Sequence, residues 1–340
     1  MYIRADSLDD LLAKVYRQLL NRGVRIEPTK GAAREVYGAL LKLSAPRVRL
    51  SRTESRGILF SCLGELLWIL AGSNALDFIE HYIPDYRKSS DDERTIFGAY
   101  GPRMFGSSPN NQLARVITSL RNKPDSRQAV VQLFDRHDTL KPRKDIPCTC
   151  TMQFAIRGNR LHMLTSMRSN DAWMGLPHDV FAFTMIQELV ARSLGIELGE
   201  YRHAVGSLHL YDCDEGKALR YLEEGWQPRR PMQPMPQGDP WQAIKVLLDF
   251  EKAVRTGKAD GLNPRDFMEP YWADLGTLLT VHKAFKTKAL GYSNEIKRLK
   301  RRLHDDVYSM YINKRHGVVL SEKDQLSIFD TRATATRGVT

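Results

Sequence analysis

Between Gln227 and Pro240 the chain reads QPRRPMQPMPQGDP, five prolines in fourteen residues. Proline has no amide hydrogen and its ring clashes with the preceding turn, so no helix continues through such a stretch. It reads as a semi-rigid connector, and it separates two textures. Ahead of it, helical and strand-like patterns alternate; beyond it the sequence is charged and helical at 241–256, 266–285 and 292–312. The expected organisation is a mixed α+β domain over 1–226, the connector at 227–240 and a helical C-terminal extension over 241–340.

Apolar residues at three- and four-residue spacing predict helices over 8–21 and 31–43. Residues 47–62 read as extended, with a turn or bulge at Gly57. A helix is expected over 63–71, ended by Gly72, and another at 111–121. Strands are expected at 128–135, 148–156 and 160–167, the last two joined by a hairpin turn at Arg157-Gly158-Asn159. A long apolar helix should cover 178–195 and a strand 202–211.

Charge and cysteine content narrow the function classes. The net charge is +11, and a basic run extends from Lys283 and Lys286 through Lys297, Arg298, Lys300, Arg301 and Arg302. An anionic small substrate or a nucleic acid would suit this balance. No zinc finger or strand-borne aromatic platform accompanies the run, so it is read as a solvated helix face and nucleic acid is not the expected partner. No run of eighteen apolar residues marks a membrane span. Four cysteines make no disulfide framework, and a cytoplasmic, reducing setting is the expectation.

Two constellations carry chemistry. In Pro147-Cys148-Thr149-Cys150 both thiols share a strand face. A nucleophile, a buried structural thiol, half a zinc site and a strained disulfide all fit this pattern, and His209 and Cys213 are available for a second pair of metal ligands. The segment Arg168-Ser169-Asn170-Asp171-Ala172-Trp173-Met174-Gly175-Leu176-Pro177-His178-Asp179 joins a guanidinium suited to phosphate with a Gly-x-Pro entry to a helix. Taken singly, Arg168 and Asp171 fit a charged surface turn equally well.

Taken together, these segments resemble thymidylate synthases. The family carries Pro-Cys-His, then Arg-Ser-x-Asp-x-x-Leu-Gly-x-Pro-Phe-Asn, then Gly-Asp-x-His-x-Tyr. The sequence has Pro147-Cys148-Thr149, Arg168 through Asp179, and Gly206-Ser207-Leu208-His209-Leu210-Tyr211 in the same order. Ser51-Arg52-Thr53, Glu65-Leu66-Leu67-Trp68, Tyr100-Gly101 and Pro124-Asp125-Ser126-Arg127 resemble further motifs, and the likeness covers about residues 8–215. It implies a mixed sheet with packed helices and a homodimer. Cys148 would be the nucleophile, with Glu65 and Tyr100 managing protons. Arg52, Arg168, Ser169 and, from a second subunit, Arg127 would hold a phosphate. His209 and Tyr211 would hold the sugar, while Asp171, Gly175 and Tyr86 would face 5,10-methylenetetrahydrofolate.

The departures shift the expected substrate and product. Asp179 stands where the family has the asparagine that reads uracil. An ionised carboxylate only accepts, which suits cytosine and is the exchange found in the family's cytidylate branch. Thr149 replaces the histidine after the nucleophile, His178 a phenylalanine and Gln128 a second phosphate arginine. Ungapped spacing puts Tyr86 and Ser89 where two tryptophans shield the methylene from water, so hydroxymethyl rather than methyl is the expected product. The reading is a cytidylate 5-hydroxymethyltransferase acting on dCMP. Its alternatives are a CMP 5-hydroxymethylase, a dCMP 5-methyltransferase, a nucleic-acid-binding module with a degenerate site, and a zinc protein using Cys148, Cys150 and Cys213.

Overall fold

The computed structural model describes residues 1–51, 58–106, 110–288 and 290–315. A short strand β1 (Tyr2–Ala5) leads into helix α1 (Leu8–Arg22). The Ser7 side chain starts this helix by accepting from the Asp10 amide at 3.1 Å, with acidic residues in the first turn. Strands β2 (Val24–Ile26) and β3 (Ala33–Leu43) follow. The helix expected over 31–43 is therefore a strand. Its leucines share both periodicities, and pairing decides: β7 pairs with β3 along most of its length, with β2 and β1 on the other side at its two ends. Gly38, at φ +74, interrupts the ladder opposite Gly206 between the Tyr37 and Ala39 pairings without changing the register.

Helix α2 (Leu59–Leu70) begins inside the segment expected to be extended, because Ile58 to Cys62 supplies the first turn of its buried face. Gly57 lies outside the described residues. Gly72 ends this region in the left-handed conformation as expected. Next come α3 (Leu76–Tyr82), α4 (Tyr100–Met104), α5 (Gln112–Asn122) and the short strand β4 (Val130–Gln132). The hairpin of β5 (Thr149–Arg157) and β6 (Arg160–Asp171) turns through Gly158 and Asn159, both at positive φ.

Helix α6 (Gly175–Leu194) is apolar on nearly every side and lies buried against the sheet. Strand β7 (Glu197–Tyr211) then returns through the sheet, and α7 (Asp212–Glu223), with three acidic residues in its first turn, follows it. The described strands form one mixed sheet ordered β1-β3-β7-β6-β5-β4, with β2 on β3. Parallel pairing of β6 with β7 sets Ser169 beside Ser207 and Asp171 beside His209. The α+β architecture expected from the sequence is present.

The proline-rich stretch is a strap over α6. Met232 and Met235 are buried, the Met235 amide donates to Glu188 at 3.1 Å, and its carbonyl accepts from Arg192 Nε at 2.9 Å. Helices α8 (Trp241–Arg255) and α9 (Pro270–Thr287) fold back onto α2 and α3, where Tyr82 donates to Glu251 at 2.9 Å. The helix expected over 292–312 is two, α10 (Tyr292–Arg301) and α11 (Ser309–Arg315). Asp274 breaks it by accepting from the His304 and Asp305 amides, each at 2.8 Å. No helix among the described residues is long and apolar enough to cross a membrane.

Beneath the strap, Arg49 and Glu188 form an ion pair with both side chains fully buried. Removing one partner strands the other charge in a low-dielectric interior. Glu188→Ala is expected to lower stability by about 3–5 kcal/mol, and Arg49→Met/Glu188→Leu to recover most of that loss. Urea denaturation of both variants checks this; a single-variant loss within experimental error contradicts it.

Candidate active site

A cavity of about 560 Å³ opens where the carboxyl end of β6, the start of α6 and the loop before β5 converge. Cys148, half-buried, sits in its wall just ahead of β5. Arg168, on β6, fixes the loop behind it: Nε donates to the Pro147 carbonyl at 3.0 Å and Nη2 to the Ile146 carbonyl at 2.9 Å. Burial pushes the Cys148 thiol up to about 11; Arg168 and Lys30 oppose that rise, and Asp179 and Asp145 add to it. The thiol is thus protonated at neutral pH and needs a proton acceptor as it attacks.

Asp179 faces the same cavity from the second turn of α6. Asp179 does not cap the helix, because α6 already begins at Gly175. Asp171 organises the turn ahead of the helix, accepting from the Trp173 and Met174 amides at 2.8 and 3.1 Å. Burial, reinforced by the nearby Glu65, holds the Asp179 carboxyl well above the usual carboxylate range. That direction favours the protonated acid over the acceptor-only carboxylate expected from its residue type.

A buried chain of hydrogen bonds reaches Asp179 from behind. Asn170 Nδ2 donates to its Oδ2 at 2.7 Å, His203 Nε2 meets Asn170 Oδ1 at 3.0 Å, and His203 Nδ1 meets the Tyr201 hydroxyl at 2.7 Å. Burial lowers the His203 imidazole to about 3, so it is neutral. The polarity then follows: an imidazole that donates through Nε2 must accept from Tyr201 at Nδ1. Oδ2 of Asp179 is therefore an acceptor towards Asn170, and Oδ1 is left to carry the proton. Gly175 makes room for this contact, since a Cβ there would fall 2.9 Å from Asn170 Nδ2.

Glu65, on α2, and Tyr86 meet on the far wall, where the Tyr86 hydroxyl donates to Glu65 Oε1 at 2.5 Å. The Tyr86 ring also packs edge-on to Trp68, with centroids 5.5 Å apart. Tyr100, at the start of α4, accepts from the Thr149 amide at 3.3 Å and so lies beside the nucleophile. His209 and Tyr211 line the cavity next to Asp171 with their rings 4.9 Å apart.

The cavity thus brings together Glu65, Tyr86, Tyr100, Cys148, Arg168, Ser169, Asp171, Gly175, Asp179, His209 and Tyr211. Arg52 lies outside the described residues. Arg127 is exposed and does not line the cavity of its own chain. Sequence reading missed three residues. Lys30 enters from the loop between β2 and β3, a position legible only once residues 33–43 are seen as a strand. Asn170 lay unremarked inside a segment already singled out, and Asp145 three residues ahead of the nucleophile. Among the described residues no group of three His, Cys, Asp or Glu is arranged to hold a metal ion.

An α+β fold with a mixed sheet thus carries a cavity lined by a cysteine, four carboxyls and several cations. The thymidylate synthase family model matches residues 13–238, and the chain belongs to that family. The match runs past residue 215 through α7 and the strap, further than the motifs alone reached. The chain is similar to proteins named deoxyuridylate hydroxymethyltransferase from three phages. For Delftia phage PhiW-14 it is 32% identical over 229 residues, 62% of each chain. For Bacillus phage SP01 the figures are 32% over 231 residues, 62% of this chain and 57% of the relative. For Pseudomonas phage M6 they are 35% over 156 residues, 45% and 44%. The chain thus spans between 44% and 62% of the length of these relatives.

The raised thiol predicts the pH dependence of Cys148 labelling. Only the thiolate is alkylated, so in a Cys62→Ala/Cys150→Ala/Cys213→Ala background the iodoacetamide rate should climb about tenfold per pH unit and level off near pH 11. Arg168→Met, which removes the cation that opposes the rise, should move the inflection higher. A plateau below pH 9 contradicts this electrostatic description.

Proposed function

We propose that the chain transfers a one-carbon unit to carbon 5 of a cytosine nucleotide monophosphate, dCMP, and releases the 5-hydroxymethyl nucleotide. The observation that carries this reading is the placement of the Asp179 carboxyl, held by burial above the usual carboxylate range, in one cavity with the Cys148 thiol. Cytosine offers an acceptor at N3 and a donor at N4. A carboxyl with its proton on Oδ1 complements both, and it can pass that proton to N3 as sulfur adds to carbon 6. Tyr100, beside Cys148, and the Glu65–Tyr86 pair are placed to move protons at carbon 5.

Lys30, Arg168 and Ser169 supply the charge and hydroxyl for a phosphate. Arg127, exposed on its own chain, is proposed to serve the site of a second copy in a homodimer. His209 and Tyr211 are proposed to hold the sugar. The apolar wall of Trp68, Ile69, Ile83 and Met174, with the buried acceptor Asp171 beside it, fits the flat ring of 5,10-methylenetetrahydrofolate. When bound, that co-substrate supplies the electrophilic carbon. Hydration rather than reduction is supported by the polar Tyr86 and Ser89 on the wall and by the names of the relatives.

One observation favours a second reading with dUMP as substrate: the relatives are named for deoxyuridylate, and a neutral carboxyl can also pair with N3–H and O4 of uracil. The two readings separate on proton transfer, which only cytosine requires at N3. Asp179→Asn, whose amide cannot release a proton, should lower kcat/KM on dCMP by about 10- to 100-fold, the worth of 1.5–3 kcal/mol, while leaving or raising that on dUMP. Steady-state kinetics of both forms on both nucleotides check this. A wild-type preference for dUMP would replace the cytosine reading with the uracil one.

A further inference from the structure

Asp145 is a carboxyl in the cavity wall that the reaction described so far does not use. The wall opposite is shaped to it: a Cβ on Gly98 would lie 2.3 Å from Asp145 Oδ2 and 3.0 Å from its Cγ, so only glycine admits the carboxyl there. Its segment is pinned on both sides. Lys144 donates from Nζ to the Ser90 carbonyl at 2.9 Å and from its amide to Asp91 at 3.1 Å, while Arg168 grips the carbonyls of Ile146 and Pro147. The Asp145 charge is felt at both the Cys148 thiol and the Tyr86 hydroxyl, and all three line the same cavity. Among the described residues no lysine or arginine forms a direct ion pair with it; burial raises its carboxyl and so its basicity, while Lys30, Arg168 and Arg103 at longer range and a Gly98 amide hydrogen bond oppose that rise. Glu65 already accepts from Tyr86, and Asp179 is an acid rather than a base. A rigidly held carboxylate facing a cavity without a counter-ion is suited to accepting a proton.

We propose that Asp145 is the general base of the hydration step, taking the proton from the water that attacks the exocyclic methylene carbon of the Cys148-bound nucleotide. This rests on the hydroxymethyl reading above. In the step, water forms the new carbon–oxygen bond and gives a proton to Asp145. The methylene π pair moves into the ring, the carbon 5–carbon 6 double bond is restored, and the bond from carbon 6 to sulfur breaks with Cys148 leaving as thiolate. Nothing is oxidised or reduced. Asp145→Asn keeps the shape of the side chain and removes its basicity, whereas Asp145→Glu keeps the carboxylate.

The test uses the full chain with dCMP tritiated at carbon 5 and methylenetetrahydrofolate, reading tritium release, which precedes hydration, against hydroxymethyl product. Asp145→Asn should release tritium at close to the wild-type rate while hydroxymethyl formation falls by about 10²- to 10⁴-fold, the usual worth of a general base. Added 2-mercaptoethanol should then trap the methylene as a thioether, and Asp145→Glu should restore part of the hydroxymethyl yield. Equal falls in tritium release and product, or unchanged product formation, would overturn the assignment while leaving the functional reading intact. A wild-type chain that releases tritium but yields only methyl product would overturn both.

Discussion

The hydrogen bond from Asn170 to Asp179 constrains the rest of the cavity. Desolvation of Asp179 makes its charged form costly and favours the protonated carboxyl. That in turn requires neighbours of fixed polarity. Asn170 can present its amide only if its carbonyl is satisfied by His203, and His203 can donate through Nε2 only if Tyr201 supplies the proton for Nδ1. All three lie on β6 and β7, the parallel pair at the centre of the sheet. The residue across from them, Gly175, must lack a side chain. Sheet register, helix start and acid–base state therefore meet at one contact.

Around that contact the loop holding Cys148 is fixed from outside. Arg168 spends two of its donors on the loop carbonyls, so it serves first as a clamp and only with its remaining face as a cation for an anionic ligand. This double use explains how a thiol raised by burial can be held in place without being ionised beforehand. Pre-organisation of this kind favours a reaction in which charge appears only as bonds form. The strap and α8–α9 support the arrangement from the far side: Met235 and Arg192 tie the strap to α6, and Glu251 anchors α8 to α3 through Tyr82.

Much of this was legible in the sequence because the relevant residues sit in short ordered segments. The hairpin of β5 and β6, the buried α6 and eleven of the thirteen expected site residues fall where the motifs place them. What was not legible depended on contacts distant in sequence. Residues 33–43 have a spacing that suits either a helix or a strand, and only β1 and β7 decide it. That error concealed Lys30, whose loop exists because two strands flank it. The environment of Asp179 was not legible for the same reason: residue type gives an acceptor, whereas burial beside Glu65 favours the protonated form. Asp145 carries no motif at all, and its place is marked only by the missing Cβ of Gly98.

On the proposed function, the cavity joins one carbon and one water to carbon 5 of a pyrimidine held by Cys148. Mass spectrometry of the nucleotide recovered after incubating the chain with dCMP and 5,10-methylenetetrahydrofolate tests it most directly. The account predicts a product heavier by one hydroxymethyl substitution, absent when Cys148→Ala is used. A product heavier by a methyl group alone, or the hydroxymethyl product still formed by Cys148→Ala, would contradict it.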